Sequence, residues 1–201
     1  MTVNHANRDY ILLIDKSGSM DKNDAPGGRT RWEAAQEATE SLARKLQKYD
    51  SDGITVISFN DTFVKTENVK DNTVEGIFKN EPTGGTTLAP ALQAAFDEHF
   101  AKASDSKKEG TTILVVTDGE PTDKPEVTKT IIAAANRLGK DEELAVSFIQ
   151  VGQDEKSRDY LKSLDDDLTK QGAKFDIVDT LTMQELGTKT LAEVLTAAVQ
   201  D

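Results

Sequence analysis

Cysteine is absent from this chain of 201 residues. Its absence excludes disulfide bonds, metal sites built on thiolates and cysteine nucleophiles. It leaves the cellular compartment open, because cysteine-free proteins occur in reducing and in oxidising compartments. The chain has 2 histidines, His5 and His99, which is too few for a soft-metal site built on imidazole. Any metal site in this protein is therefore expected to use oxygen ligands.

Long apolar runs and an excess of basic charge are also missing. No stretch reaches the ~18 apolar residues of a membrane span, and the first nine residues lack the charged and apolar regions of a signal peptide. The 24 basic and 36 acidic residues give a net charge of −12. Such a surface repels phosphate backbones and anionic lipids. We therefore expect a cytoplasmic protein, monomeric on its own, that binds neither nucleic acid nor membrane.

The length and composition fit one globular domain. Hydrophobic residues make up 36% of the chain and charged residues 30%, values typical of a soluble protein on the polar side of average. A chain of this length is long enough for one α/β domain with a sizeable core. We predict a single domain over residues 1–201, with a flexible N-terminus at residues 1–8.

Short apolar runs that barely alternate predict strands buried on both faces, as in a parallel sheet. A weaker run predicts a fifth strand, and a segment after the turn signal Asn60-Asp61 predicts a short hairpin strand at the sheet edge. The predicted strands are Tyr10–Ile14, Ile54–Phe59, Ile113–Val116 and Leu144–Val151, with Phe175–Val178 as the weaker strand and Thr62–Thr66 at the edge.

Helical patterns lie between the strands, and this alternation predicts an α/β fold with a mostly parallel sheet of about six strands. Thr30 with Glu33, and Thr182 with Glu185, have the spacing of capping boxes at helix starts. Asp123 with Pro125 marks a third start. The predicted helices run from Thr30 to Tyr49, Leu88 to Phe100, Asp123 to Leu138, Glu155 to Leu168 and Thr182 to Ala198.

Polar oxygen donors follow two of the predicted strands. Asp15, Ser17 and Ser19 come directly after the first strand, and Asp118 follows the strand Ile113–Val116. Thr86 lies in the loop Gly84-Gly85-Thr86. Ligands of open parallel sheets bind beyond the carboxyl ends of the strands, where the strand order reverses. If the two strands are neighbours there, these two carboxylates and three hydroxyls can meet at one ion.

The donor set fits Mg²⁺ best. Magnesium prefers six oxygen ligands and keeps several waters, which suits a site with few carboxylates. The EF-hand pattern fails, because Ser17, Ser19 and Met20 stand at its third, fifth and sixth positions. Mn²⁺ and Ca²⁺ remain possible substitutes.

The chain resembles the von Willebrand factor A domains, which carry a metal-ion-dependent adhesion site. Their pattern is D-x-S-x-S, then a threonine in a glycine-rich loop, then an aspartate after a core strand. Here it reads Asp15-Lys16-Ser17-Gly18-Ser19, Gly84-Gly85-Thr86 and Thr117-Asp118-Gly119. The three matches occur in the family's order, and the strand and helix alternation extends the resemblance over nearly the whole chain.

The resemblance implies a doubly wound, Rossmann-like sheet with helices on both faces. It implies metal ligation by Asp15, Ser17, Ser19, Thr86 and Asp118, directly or through water, with one coordination position left for an Asp or Glu of a partner protein. Thr86 is preferred to Thr87 because the family loop reads Gly-Gly-Thr, and Thr87 is better placed to cap the next helix. The motifs also look like those of small cytoplasmic bacterial members associated with tellurite resistance and stress response.

Two other functions stay open at this stage. One is a Mg²⁺-dependent phosphohydrolase or phosphotransferase of the haloacid-dehalogenase type using Asp15, although such enzymes use D-x-D and Ser17 replaces the second acid. The other is a structural domain whose metal site is vestigial. We expect a binding module, not an enzyme, with no catalytic residue and no organic cofactor.

Several conspicuous residues have simpler interpretations. We expect His99 and Trp32 to pack within the fold, and Asp165-Asp166-Asp167 to be a solvated surface run. The basic residues in and before the first helix are expected to form a solvated face: Arg29, Arg31, Arg44, Lys45 and Lys48.

Overall fold

The computed structural model describes residues 8–49, 53–102, 110–119, 121–189 and 193–195, with only the backbone of residues 71–73. Within these residues, six strands form one sheet in the order β3-β2-β1-β4-β5-β6. The strands are β1 (Arg8–Asp15), β2 (Ile54–Phe59), β3 (Phe63–Val69), β4 (Gly110–Thr117), β5 (Leu144–Gln150) and β6 (Val178–Thr182).

The sheet is parallel except at one edge. β2 and β3 form an antiparallel hairpin, and the other four neighbouring pairs are parallel. The strand order reverses between β1 and β4, which are direct neighbours. The predicted fold class and the antiparallel edge strand are therefore confirmed. A switch point lies between β1, which ends at Asp15, and β4, which Asp118 follows.

Helices cover both faces of the sheet. One face packs against α2, α3 and α4, and the other against α1, α5 and a 3-10 segment at Asp71–Lys79. Among the described residues, no helix has the length and apolar character needed to cross a bilayer. The helices are α1 (Arg31–Leu46), α2 (Ala89–Lys102), α3 (Lys124–Arg137), α4 (Glu155–Asp166) and α5 (Met183–Thr188).

Both predicted capping boxes are present. Thr30 caps α1 together with Glu33, and Thr182 caps α5 together with Glu185. Trp32 is buried in α1 and packs on Phe78 with ring centroids 4.5 Å apart, as expected of a core residue. The predicted long final helix is described only in part. α5 ends at Thr188, residues 193–195 are again helical, and the remaining predicted turns lie outside the described residues.

The last strand lies further along the chain than predicted. Val178–Thr182 pairs in parallel with β5, whereas most of the predicted strand Phe175–Val178 precedes it. Phe175 and Ile177 are apolar because they pack into the core from the connecting loop. The Ile177 carbonyl accepts a hydrogen bond from the Val146 N–H at 2.7 Å, which starts the pairing. Apolar residues that are buried in a loop therefore produced a sequence pattern like that of a strand.

The outer edge of β6 is occupied by acidic side chains. The Thr180 N–H and hydroxyl both donate to Asp165 Oδ2, at 3.0 and 2.7 Å, and the Thr182 N–H donates to Glu185 at 2.7 Å. Asp165 is half-buried and joins α4 to β6, so the prediction of a solvated run is wrong at this residue. Asp166 is exposed as expected. Carboxylates that take up edge N–H groups reduce unwanted strand pairing.

The first strand begins at Arg8, inside the segment predicted to be flexible. The Arg8 side chain is buried, and it donates to the Thr112 hydroxyl and to the Thr111 carbonyl, each at 2.9 Å. The prediction is therefore wrong for Arg8. Residues 1–7, on which the rest of that prediction falls, lie outside the described residues.

Candidate metal centre

Asp15 is the last residue of β1, and its carboxylate is fully buried. Oδ1 accepts a hydrogen bond from the Ser17 N–H at 2.8 Å, and Oδ2 accepts one from the Thr117 hydroxyl at 2.6 Å. Burial raises the pKa of Asp15 to about 6, and the nearby Asp118 adds to the increase, although both hydrogen bonds oppose it. A cation beside this carboxylate would favour its ionised form.

Ser17 and Ser19 follow in a tight turn. A 3-10 turn at Gly18–Asp21 brings the two hydroxyl oxygens to 3.0 Å from each other. Ser17 is buried and Ser19 partly buried, and the turn is anchored by Met20, whose side chain lies in the core. Two hydroxyls this close present adjacent oxygen donors, as the sequence predicts.

The glycine-rich loop is fastened to the turn after β1 by two backbone hydrogen bonds. The Gly18 N–H donates to the Gly84 carbonyl at 3.0 Å, and the Thr83 N–H donates to the Lys16 carbonyl at 2.9 Å. Gly84 has φ +81°, a conformation that side chains disfavour. At Gly85 a Cβ would come within 2.7 Å of the Asp61 carboxylate. The glycines therefore permit the close approach that brings Thr86 to this edge of the sheet.

Thr86 is buried, and its carbonyl links the loop to the segment after β4. The Thr86 carbonyl accepts hydrogen bonds from the Thr122 N–H at 2.8 Å and from the Thr122 hydroxyl at 3.0 Å. Neighbouring Thr87 is only partly buried, and its N–H donates to the Asn60 carbonyl at 2.8 Å. The choice of Thr86 over Thr87 as the ligand stays a prediction.

The cap of α2 comes from an unexpected residue. Asp123 accepts hydrogen bonds from the N–H groups of Leu88 and Ala89, at 3.0 and 2.8 Å, and it makes no side-chain cap on its own helix α3. These hydrogen bonds replace the cap that was expected from Thr87. The predicted start of α3 is confirmed, because Asp123 is its N-cap residue and a proline lies in its first turn. Asp123 is therefore a further connection between the glycine-rich loop and the segment that contains Asp118.

Asp118 follows β4 and is 2% exposed. Its Oδ2 accepts a hydrogen bond from Arg31 Nη1 at 2.8 Å. Its Oδ1 is buried and has no hydrogen-bond partner among the described residues. A buried carboxylate oxygen without a donor costs free energy comparable to a lost charged hydrogen bond. A cation held at this oxygen would remove that cost, so the residues present fit a metal.

Arg31 was not expected at this site. The prediction that it belongs to a solvated face is wrong, because the side chain is only 4% exposed. Its Nε and Nη2 atoms each donate to the Asp24 carboxylate at 2.7 Å, while Nη1 reaches Asp118. The hydrogen bonds from Arg31 hold the pKa of Asp24 below its ordinary value. One signal was available in the sequence: a cation in the first turn opposes the helix dipole, and so indicates a specific partner.

The structure therefore brings four of the five predicted donors, Asp15, Ser17, Ser19 and Asp118, to the ends of β1 and β4, and hydrogen bonds fasten the loop of Thr86 beside them. With both aspartates ionised, the single positive charge of Arg31, which Asp24 shares, offsets less than one of their two negative charges. The described residues contain no group of three or more histidine, cysteine, aspartate or glutamate side chains arranged to hold a metal. The candidate site is thus rich in hydroxyls and poor in carboxylates, a composition that favours a hard cation such as Mg²⁺.

The family model of the von Willebrand factor type A domain matches residues 10–120, more than half of the chain. The chain belongs to this family. Von Willebrand factor A domains are known for metal-dependent protein interaction and are generally not enzymes. The matched segment begins in β1 and includes all five predicted ligand positions.

Solved structures agree on the fold. The manganese-loaded TRAP protein of Plasmodium vivax is similar with a TM-score of 0.59 and 18% identity, over 92% of this chain and 72% of that one. A D319A mutant of the PilB minor pilin of Streptococcus sanguinis gives a TM-score of 0.59 and 13% identity, over 96% of this chain and 63% of the pilin. Curated protein sequences include no match. At these identities the similarity supports the fold alone.

Proposed function

We propose that this protein is a metal-dependent protein-binding module. Ser17, Ser19 and Thr86 would supply hydroxyl ligands to Mg²⁺, and Asp15 and Asp118 would bind it directly or through water. The buried Oδ1 atom of Asp118, which has no donor among the described residues, is the observation that carries the proposal. When bound, the ion would supply a positively charged centre, and an Asp or Glu side chain of a partner protein could coordinate it.

The acidic surface does not prevent such a partner from binding. The net charge of −12 repels an acidic protein at long range. Salt limits this repulsion, since the Debye length is about 8 Å at physiological ionic strength. Attraction between a carboxylate and a divalent ion strengthens in a site that excludes water. The local charge of the metal is therefore expected to decide binding.

Metal binding is the first part to test. Mn²⁺ is titrated into the protein, free ion is followed by electron paramagnetic resonance, and Mg²⁺ is added as competitor. We expect one strong site in the wild type, its loss in Asp118→Ala, and little change in Asp166→Ala, which removes an exposed carboxylate elsewhere. Equal binding by wild type and Asp118→Ala would refute the proposed centre.

Partner binding is the second part. The protein serves as bait in extracts of its native cell, with Mg²⁺ or with EDTA, and beside Ser17→Ala. We expect partners retained by the wild type in Mg²⁺ and lost under the other two conditions. If the same proteins are retained under every condition, their binding does not depend on the metal and the proposal of a metal-dependent module is refuted.

A phosphohydrolase is less well supported. Both Asp15 oxygens already accept hydrogen bonds and the carboxylate is fully buried, so it is poorly placed to attack phosphorus. A phosphatase screen with Mg²⁺ tests this directly. Turnover that Asp15→Asn abolishes would overturn the proposal of a binding module.

The biological setting follows from the motifs rather than from the geometry. The sequences Asp15-Lys16-Ser17-Gly18-Ser19-Met20 and Thr117-Asp118-Gly119-Glu120-Pro121 look like those of small bacterial members linked to tellurite resistance and stress response. We infer a cytoplasmic protein of that type, monomeric until it meets its partner. Sedimentation of the purified protein, with and without Mg²⁺, tests the monomer.

A further inference from the structure

Arg31 connects the candidate metal centre to the loop before α1. The loop runs from Lys22 to Thr30 and is called here the Asp24 loop. Its two ends meet, because the Arg31 N–H donates to the Lys22 carbonyl at 2.9 Å and the Ala25 N–H donates to the Arg29 carbonyl at 3.1 Å. The loop is fixed to the interior by Ala25, which is buried, and by the fork of Arg31 on Asp24.

The fold provides a specific space for the guanidinium. Gly152, in the turn after β5, has φ +84°, and a Cβ there would come within 2.6 Å of Arg31 Nε. Any larger residue at this position would displace Arg31. The Arg31 side chain therefore has a defined position between two carboxylates. The side chain of Asp24 is 44% exposed and that of Asp118 is 2% exposed.

We propose that Arg31 is a built-in counter-cation that lowers metal affinity and couples the metal centre to the Asp24 loop. This inference rests on the proposed metal site. The guanidinium neutralises part of the charge on Asp118 that a metal would use, so the two cations compete for one carboxylate. Because Arg31 also pairs with Asp24, the attraction between Arg31 and Asp118 is weaker than it would be without Asp24.

The coupling must act in both directions. If the Asp24 loop changes metal affinity, metal binding changes the stability of the loop's contact with Arg31 by the same factor. A partner that binds the Asp24 loop, or a partner cation that pairs with Asp24, would then change metal affinity without touching the ion. The exposed carboxylate of Asp24 makes such regulation accessible from outside.

Two variants separate this proposal from a merely structural role. Arg31→Gln removes the competing charge, and we expect Mn²⁺ to bind about tenfold more tightly, equivalent to about 1.4 kcal/mol. Asp24→Asn removes the second carboxylate that shares the charge of Arg31, so Arg31 pairs more strongly with Asp118. We therefore expect Mn²⁺ to bind about threefold more weakly. In the double variant the Asp24 substitution should have no further effect, because its influence passes through Arg31.

Arg29→Gln is the matched control, because Arg29 lies in the same loop but pairs with Glu37 rather than with a predicted ligand. We expect its Mn²⁺ affinity to stay within about twofold of the wild type. Binding is read by electron paramagnetic resonance, and folding of every variant is checked by circular dichroism. If Arg31→Gln does not fold, Asp24→Asn, which alters a half-exposed side chain, still decides.

The outcomes distinguish this inference from the proposed function. Wild-type binding that Asp118→Ala removes, together with unchanged or weaker binding by folded Arg31→Gln, would keep the metal centre and overturn the counter-cation. An unchanged affinity in Asp24→Asn would overturn the coupling to the loop. Binding by Arg31→Gln alone would support the counter-cation, and no binding by either protein would reject both.

Discussion

Asp123 caps a helix to which it does not belong: its carboxylate accepts the N–H of Leu88, at the start of α2, at 3.0 Å. Thr122, the residue before it, donates through its N–H and its hydroxyl to the Thr86 carbonyl. The segment after β4 therefore holds the glycine-rich loop in place. These few hydrogen bonds join the loop of Thr86 to the segment that follows Asp118, and so connect two predicted ligands.

Asp123→Ala should weaken both the fold and the metal centre. Loss of a helix cap costs about 1 kcal/mol, and the freed loop should lower Mn²⁺ affinity severalfold. Urea denaturation measures the first effect and Mn²⁺ titration the second. Thr182→Ala is the matched control, because Thr182 caps α5 by accepting the Glu185 N–H at 3.2 Å. It should lose similar stability at unchanged affinity, and equal affinities for the two variants would contradict the link to Thr86.

Thr117→Val tests the support of Asp15. The substitution keeps the shape of the side chain but removes the donor at 2.6 Å from Asp15 Oδ2. It also removes the acceptor of the Gly119 N–H at 3.0 Å, so both groups lose a partner. We expect the free energy of unfolding in EDTA to fall by about 1–3 kcal/mol, the cost of an unsatisfied buried group.

Thr55→Val provides the comparison for that experiment. Thr55 is also a buried strand threonine that donates to a carboxylate, Glu98, at 2.8 Å, but Glu98 keeps its ion pairs with Lys65 and Lys102. Thr55→Val should therefore lower the free energy of unfolding by less than Thr117→Val does. A loss at Thr55 equal to or larger than the loss at Thr117 would show that Asp15 does not depend on this hydroxyl.

The sequence was sufficient to predict the edge of the sheet at which the donors gather. Asp15 and Asp118 each follow a short apolar run, and the carboxyl ends of neighbouring parallel strands lie together. The capping boxes at Thr30 and Thr182 could likewise be predicted, because both partners of each box lie within one helical turn. Such patterns can be recognised in the sequence because the residues that interact lie close together along the chain.

Contacts between distant segments could not be predicted in the same way. Arg31 and Asp118 are 87 residues apart, and Asp123 and Leu88 are 35 apart, so only the folded chain brings them together. The error at β6 has a related origin, since Phe175 and Ile177 are apolar for packing and not for strand pairing. Burial alone does not distinguish a core strand from a buried loop.

Bound metal should stabilise the wild-type protein, and the size of the effect depends on the affinity of the site for the metal. At a free Mg²⁺ concentration 100 times the Kd, linkage adds about 2.7 kcal/mol to the free energy of unfolding. Ser17→Ala should show a much smaller increase, because it lacks one donor of the hydroxyl pair. Ser163→Ala, which removes a hydroxyl on α4 that donates to the Tyr160 carbonyl, should respond like the wild type. Equal responses of all three proteins in urea denaturation would exclude Ser17 as a ligand.

His99 should make stability depend on pH through its burial rather than through any catalytic role. Burial lowers the pKa of His99 below its ordinary value of 6.5, Glu143 opposes this, and the Arg8 guanidinium adds to it. The unfolded chain therefore takes up a proton at His99 before the folded chain does. The stability contributed by neutral His99 is complete above pH 6.5 and is lost as the pH falls toward the lowered pKa of the folded protein.

Two measurements check this dependence. Imidazole resonances followed by NMR should show His99 titrating below 6.5, with His5 as the second histidine of the chain for comparison. Urea denaturation at about pH 7.5 and about pH 5.5 should show wild type losing stability relative to His99→Gln, whose amide can still bond the Thr111 hydroxyl that lies 2.9 Å from His99 Nδ1. A parallel loss in both proteins would assign the acid sensitivity to other groups, and a His99 pKa at or above 6.5 would contradict the buried, neutral ring.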